Sequence, residues 1–486
     1  MQAAALPFTK PYPPPRDKAT LAAYITEAAM LEHQFMCQYL YAAFSLKKYP
    51  DKTCSPAQLE AVRRWASLIY TIARQEMEHL SIANSLLTAI GSPPWFGHTN
   101  FPTQSRWYQS TALRLKNSGQ NAPEPCDFPF LLQAFDLSVA RRFCCMESPA
   151  LEHVPSHDKA NVRKWCYQPG CGCVPELPEP PPSAYSFVGG SDQSANAVEP
   201  GTVQQLYAAI TSGLQYLNTE LGAKALFSGH QSGQSEILME YDIFLFKICN
   251  LETALAGIQL VIRQGEGIDT PPGYDSHFQN YYDIAVEYEE ILKQDDKFEP
   301  ALPLPLDPQP GQYKIPITKD AVATFNDGYV AMLYMLAAYY GNFNPATYNQ
   351  PPYLFQALEQ TVFAPTMTML IRSLAELIVQ LPADESGAPA GPVLNMSPEV
   401  YERLQNPADP IFLDINFHVT NMKSVAENLD HLINNDEPPK ALLPKFQYIY
   451  QNVQRMVANL EYIYQNGTYP PFVNSAPNCT DDHSCD

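Results

Sequence analysis

The chain has 486 residues, 45% of them hydrophobic and 17% charged, which is enough apolar material for two helical domains and too much for disorder. Its 51 acidic residues against 30 basic ones give a formal charge of −21. That balance repels nucleic acid and anionic membrane, and no Lys/Arg stripe offsets it, so neither partner is expected.

The opening stretch MQAAALPFTKPYPPPRDK lacks the basic-then-apolar order of a signal peptide. The longest apolar run, Tyr329 to Tyr340, is too short to span a bilayer. A soluble, cytoplasmic protein is the expectation.

Apolar residues at i, i+3, i+4 spacing, from Leu21 through Leu31 and Phe35 to Phe44, predict a helix over Thr20 to Lys47, closed by Pro50. A second helix carries its own boundaries. Ser55-Pro56-Ala57-Gln58 is a capping box with proline at the first helical position, and Gly91-Ser92-Pro93-Pro94 is a stop signal. A proline-rich connector leads to a shorter helix from about Asp136 to Glu147.

Residues 150–200 read as a long loop holding Cys166, Cys171, Cys173 and the run PELPEPPPSAYSFVGG. The two well-spaced cysteine pairs of a zinc knuckle are missing, so free thiols or a local disulfide are expected. Thr202 to Gln205 is a capping box for a helix reaching Leu221, Asp242 to Arg263 reads as helical, and Ser276 to Gln279 caps a helix to about Lys293.

The rigid segment DKFEPALPLPLDPQPGQYKIP marks a domain boundary. Helices over roughly 317–341, 353–381, 410–434 and 440–465 form a second helical unit, and no strand signature stands out. The expected layout is all-α: a first domain over 18–296 with its insert at about 150–200, a second over 317–470, and a polar tail over 471–486. His418 and His431 in the second unit are isolated and read as structural. The sequons at Asn395, Asn466 and Asn478 read as chance.

The chemistry lies in the first unit. Glu32 sits on the apolar face of its helix between Ala28 and Met36, where a lone carboxylate is costly unless paired or bound to a cation. Glu76 and His79 are three residues apart and share a face with Ile72 and Leu80. Glu-x-x-His facing a Glu from a neighbouring helix is the half-site pattern of dinuclear carboxylate bundles. Oxygen donors with imidazole suit iron, one or two ions, or manganese. Glu78 is expected to point away from this face into solvent.

The stretches LEHQFMCQYLYAAFSLK and IARQEMEHLSIANSLLTAIGSPP resemble the first two helices of the ferritin-like domain of iminophenyl-pyruvate dimer synthases. RRFCCMESP, GTVQQLYAAI, VIRQGEG, DSHFQNYYDIA, FNDGYVAMLYML and SGAPAGP follow in the same order, so the resemblance covers roughly 20–395 in patches. It implies a ferritin-like four-helix bundle, and it adds Glu147, Glu266 and His277 as further metal ligands.

Those synthases couple two imines derived from an aromatic amino acid in violacein- and rebeccamycin-type pathways. They are much longer chains, and this sequence has its own insert at about 150–200 and an altered C-terminal region. Tyr39 and Tyr281 fall one or two turns from the proposed ligands, as hydrogen-bond partners or as core.

The resulting expectation is a non-haem, metal-dependent oxidoreductase using O2 or a peroxide on an amino-acid-derived, aromatic small molecule in specialised metabolism, with self-association open. Two other readings stay open: a metal-binding or storage protein without turnover, and a helical partner-binding protein with a degenerate site.

Overall fold

The computed structural model describes residues 14–103, 130–149, 154–166, 203–230, 234–240, 243–267, 275–341, 352–406 and 409–468. The cap at Thr202, Cys171 and Cys173, the low-complexity run of the insert and the polar tail lie outside the described residues.

Helix α1 (Lys18–Ser45) opens where Asp17 accepts from the Thr20 amide at 2.8 Å. Every residue from Leu31 to Tyr39 is buried, so this helix has no solvent face along its middle turns. Helix α2 (Pro56–Ala89) starts with the expected capping box: Gln58 Oε1 accepts from the Ser55 amide at 2.8 Å and Ser55 Oγ accepts from the Gln58 amide at 3.3 Å.

The next helices are α3 (Leu137–Met146), α4 (Lys159–Cys166), α5 (Val203–Leu221), α6 (Leu251–Gly265) and α7 (His277–Gln294). Helix α1 packs along α2 and α5, α2 also meets α6 and α7, and α3 lies on α7. Helix α4 falls inside the stretch expected as a loop and is held to α3 by the disulfide Cys145–Cys166. The local-disulfide expectation is met there.

The stretch expected as one helix from Asp242, a residue outside those described, departs from expectation from Ile243 onward. Instead of one helix it forms strand β2 (Ile243–Leu245), paired antiparallel with β1 (Ile237–Glu240), and helix begins only at Leu251. The reason is a second start signal. Asn250 accepts from the Thr253 amide at 2.9 Å and Thr253 Oγ1 accepts from the Asn250 amide at 3.2 Å, a reciprocal cap that resets the register.

Beyond the proline-rich connector come α8 (Pro316–Tyr340), α9 (Pro352–Thr361), α10 (Ile415–Asn435) and α11 (Leu443–Asn466). Helix α9 runs into a π-helical stretch, Val362–Arg372, around Pro365, whose missing N–H disrupts the ordinary ladder. The segment Ala357–Ile378 is, among the described residues, the one long and apolar enough to cross a bilayer, and 53% of its most apolar 18-residue window is buried within the protein. His418 is structural as read: its Nε2–H donates to the Phe412 carbonyl at 2.8 Å.

The connector is stitched to the first helices. Leu302 donates its amide to the Ser45 carbonyl at 2.7 Å, and Lys47 donates to the Pro300 carbonyl at 2.9 Å. One continuous apolar cluster runs from Leu21 to Leu460.

Candidate metal centre

Five elements bring the six carboxylates and imidazoles together. Glu32 projects from the middle of α1, Glu76 and His79 from α2, Glu147 and Glu266 cap the C-termini of α3 and α6, and His277 opens α7. All six are buried.

Five of them form two triads. Donor atoms of Glu32, Glu76 and His79 lie within 4.8 Å of one another, as do those of Glu76, Glu147 and His277. Glu76 belongs to both. Its Oε1 is 2.8 Å from His277 Nδ1 and its Oε2 is 3.4 Å from His79 Nδ1, while Glu32 Oε2 is 3.5 Å from His79 Nδ1. Glu266 lines the same cavity of about 20 Å³ beside Glu32, Glu76, His79 and Glu147, without entering either triad.

The histidines are held alike. His79 Nε2 lies 2.7 Å from Gln264 Oε1 and His277 Nε2 lies 3.0 Å from Gln75 Oε1. An amide oxygen only accepts, so Nε2 carries the proton in both neutral rings and Nδ1 faces the carboxylates. The two rings stack with centroids 5.4 Å apart.

Tyrosines hold the carboxylates. Tyr207 donates to Glu32 Oε1 at 2.7 Å, and Tyr39 donates to Glu147 Oε1. Tyr281 packs edge-on to Phe143, with ring centroids 5.2 Å apart, and its hydroxyl has no hydrogen-bond partner among the described residues.

Glu78, expected in solvent, is buried instead. Gln264 Nε2 donates to its Oε2 at 2.9 Å and the Phe244 amide donates to its Oε1 at 2.6 Å. Strand β2, unseen in the sequence, covers that face of α2 and supplies the amide. Gln75, Tyr207 and Gln264 were missed as site residues because an uncharged side chain on an apolar face carries no mark of what it bonds. Gln75 and Gln264 are nonetheless next to, or two residues from, a candidate carboxylate.

The cluster is electrostatically unfinished. Burial pushes Glu266 up to about 8 and raises Glu32 as well. Burial also works to raise Glu76, but the neighbouring His277 and His79 overcome it and hold Glu76 far below the ordinary range. Burial would lower His277, yet Glu76 and Glu147 lift it to about 9, and Glu76 and Glu32 lift His79 well above its usual value.

Protons thus stand where positive charge is wanted. Glu76 Oε2 and Glu266 Oε2 are buried without a hydrogen-bond partner among the described residues, and Glu147 and Glu266 sit at helix C-termini, where the macrodipole disfavours an anion. A cation among these atoms satisfies all of these demands at once. The donor set fits a hard-to-borderline ion such as iron or manganese.

A model of the ferritin-like family matches residues 25–286. The chain is 25% identical over 418 residues to the 2-imino-3-(indol-3-yl)propanoate dimerase of Chromobacterium violaceum, covering 79% of this chain and 35% of that one. It is 24% identical over 415 residues to the dichlorochromopyrrolate synthase of Lentzea aerocolonigenes, covering 77% of this chain and 36% of that one. It therefore spans about a third of the length of these curated relatives. A solved ferritin-like protein from Caulobacter vibrioides is similar at 17% identity and a TM-score of 0.42, over 69% of this chain and 91% of that one. All six clustered residues fall inside the matched span, which is more than half of the sequence, and the chain belongs to the ferritin-like family.

Proposed function

We propose that the protein is a non-haem, metal-dependent oxidoreductase acting on an amino-acid-derived aromatic small molecule in specialised metabolism. The observation that carries this reading is the pair of buried triads sharing Glu76. Glu32, Glu76, His79, Glu147 and His277 would hold one or two ions, iron first and manganese second, with Glu266 on the cavity wall. The ions would supply electrons to O2 or a peroxide.

The chain's own residues do the rest. Glu76, shared between the triads, sets the spacing of the two halves. Gln264 and Gln75 keep each imidazole turned with Nδ1 inward, and Tyr207 and Tyr39 fix the carboxylate rotamers while keeping their own protons. Burial of all six groups excludes bulk water. The names of the two relatives, a 2-imino-3-(indol-3-yl)propanoate dimerase and a dichlorochromopyrrolate synthase, support the proposed substrate class.

A second reading is metal binding without turnover. It is favoured by the cavity, whose volume of about 20 Å³ suits an ion with a water and not an indole.

Elemental analysis after metal-replete expression tests the shared premise. Wild type should carry stoichiometric iron or manganese and Glu76→Ala should lose most of it; a metal-free wild type defeats both readings. Oxygen uptake with a panel of aromatic amino acids and their imines separates them, since binding alone gives no organic product.

A further inference from the structure

Helix α1 carries a second set of donors on the face turned away from Glu32. His33 and Cys37 are one turn apart, His98 comes from the loop after α2, and all three are fully buried. One donor atom from each lies within 4.8 Å of the others. Tyr329 of α8 completes the set. Its hydroxyl is 2.5 Å from His33 Nε2, 3.2 Å from His98 Nε2 and 3.6 Å from Cys37 Sγ.

Hydrogen bonding alone does not satisfy this group. The Thr99 carbonyl can only accept, so His98 Nδ1 donates to it at 2.9 Å and His98 Nε2 turns a lone pair toward Tyr329. Each neutral imidazole offers one N–H and one lone pair. The phenol has one proton. Given to His33, it leaves His98 Nε2 facing a bare oxygen. Given to His98, it requires a proton on His33 Nε2, and His33 Nδ1 is then a bare lone pair in the core, with no donor to it among the described residues. Either way one lone pair goes unmatched, which is costly at such depth.

The geometry points to a second, mononuclear metal site formed by His33, Cys37 and His98 with the Tyr329 hydroxyl in the fourth position, taking a borderline-soft divalent cation of the zinc class. Imidazole and thiolate donors select such an ion, whereas the carboxylate cluster on the other side of the helix does not. Bond lengths of about 2.0 Å to nitrogen and 2.3 Å to sulfur give tetrahedral edges of about 3.3–3.6 Å, close to the 3.2 and 3.6 Å contacts already made by Tyr329. The 2.5 Å contact to His33 opens by about 1 Å on loading.

On binding, the Cys37 thiol gives its proton to solvent and the thiolate takes the ion; Tyr329 keeps its proton. All four positions are filled by protein. The site is therefore structural, pinning α1, the loop at His98 and α8 to one point.

The test is cobalt(II) substitution of the full chain, stripped with chelator and refilled. We expect a near-ultraviolet thiolate-to-cobalt band in wild type, retained in Glu76→Ala and lost, with one equivalent of cobalt, in Cys37→Ser. If Cys37→Ser does not fold, His98→Gln is read the same way. A wild type without the band, or a band that survives both substitutions, overturns the site and leaves a hydrogen-bonded node. Because the carboxylate cluster has no thiolate, its failure and this one are separately visible: iron content follows Glu76, the cobalt–sulfur band follows Cys37.

Discussion

The side-chain amide of Gln264 spans His79 and Glu78, with its oxygen 2.7 Å from His79 Nε2 and its nitrogen 2.9 Å from Glu78 Oε2. One uncharged residue therefore decides which ring nitrogen of a proposed ligand faces the ion, and its own orientation is fixed by a buried carboxylate. Replacing Gln264 with Leu frees the ring to flip and strips Glu78 of a donor. Metal affinity, read by chelator competition, should fall about 10- to 100-fold with His79 still present. Unchanged affinity would show that Gln264 does not orient the ligand.

Metal loading should depend on pH in one direction. Without an ion, His277 holds its proton up to about 9 and Glu266 up to about 8. An incoming cation competes with these protons, so apparent affinity should rise steadily from about pH 6 to about 9. Isothermal titration with Mn2+ across that range reads the slope; an affinity falling with pH would contradict the proposed ligand set.

Asp307 offers a separate stability test. Burial lifts its carboxyl from 3.8 to about 6, against the Leu132 amide, which donates to Oδ1 at 2.7 Å. A raised folded-state value means that the native chain binds the proton more tightly than the unfolded one. Its contribution is therefore fully present below about pH 4 and lost as pH rises through about 6. Asp307→Asn keeps the acceptor and suits the positive φ of 44°. It should gain about 1 kcal/mol over wild type at pH 7 and nothing at pH 3.5 in urea unfolding, a discounted share of the shift.

Gly229 tests backbone packing. A Cβ there would lie 1.7 Å from the Thr88 carbonyl oxygen, a backbone atom that cannot swing aside. Gly229→Ala should cost about 3 kcal/mol or more and lower Tm by several degrees. A variant melting with wild type would mean that this junction gives way freely.

The helices were legible where the chain announces itself. Ser55 and Gln58 marked the start of α2, and Glu32, Glu76 and His79 stood out because charge on an apolar face needs a reason. Glu147, Glu266 and His277 came only from the resemblance, since a Glu at a helix end has no periodicity to violate. Glu78 was misread for a physical reason: spacing along a helix says which face a residue occupies, not whether a distant hairpin will cover that face. The set around Tyr329 escaped notice because its members are separated by as many as 296 residues and each looks like ordinary core.

The burial of α1 from Leu31 to Tyr39 has a consequence for motion. With protein on every side, these turns have no fraying edge through which water can reach a peptide N–H. Their amide protons can exchange with deuterium only when the whole assembly around them opens. This helix should be the slowest-exchanging segment of the chain, and its exchange rate a direct gauge of how often the native fold is lost as a unit.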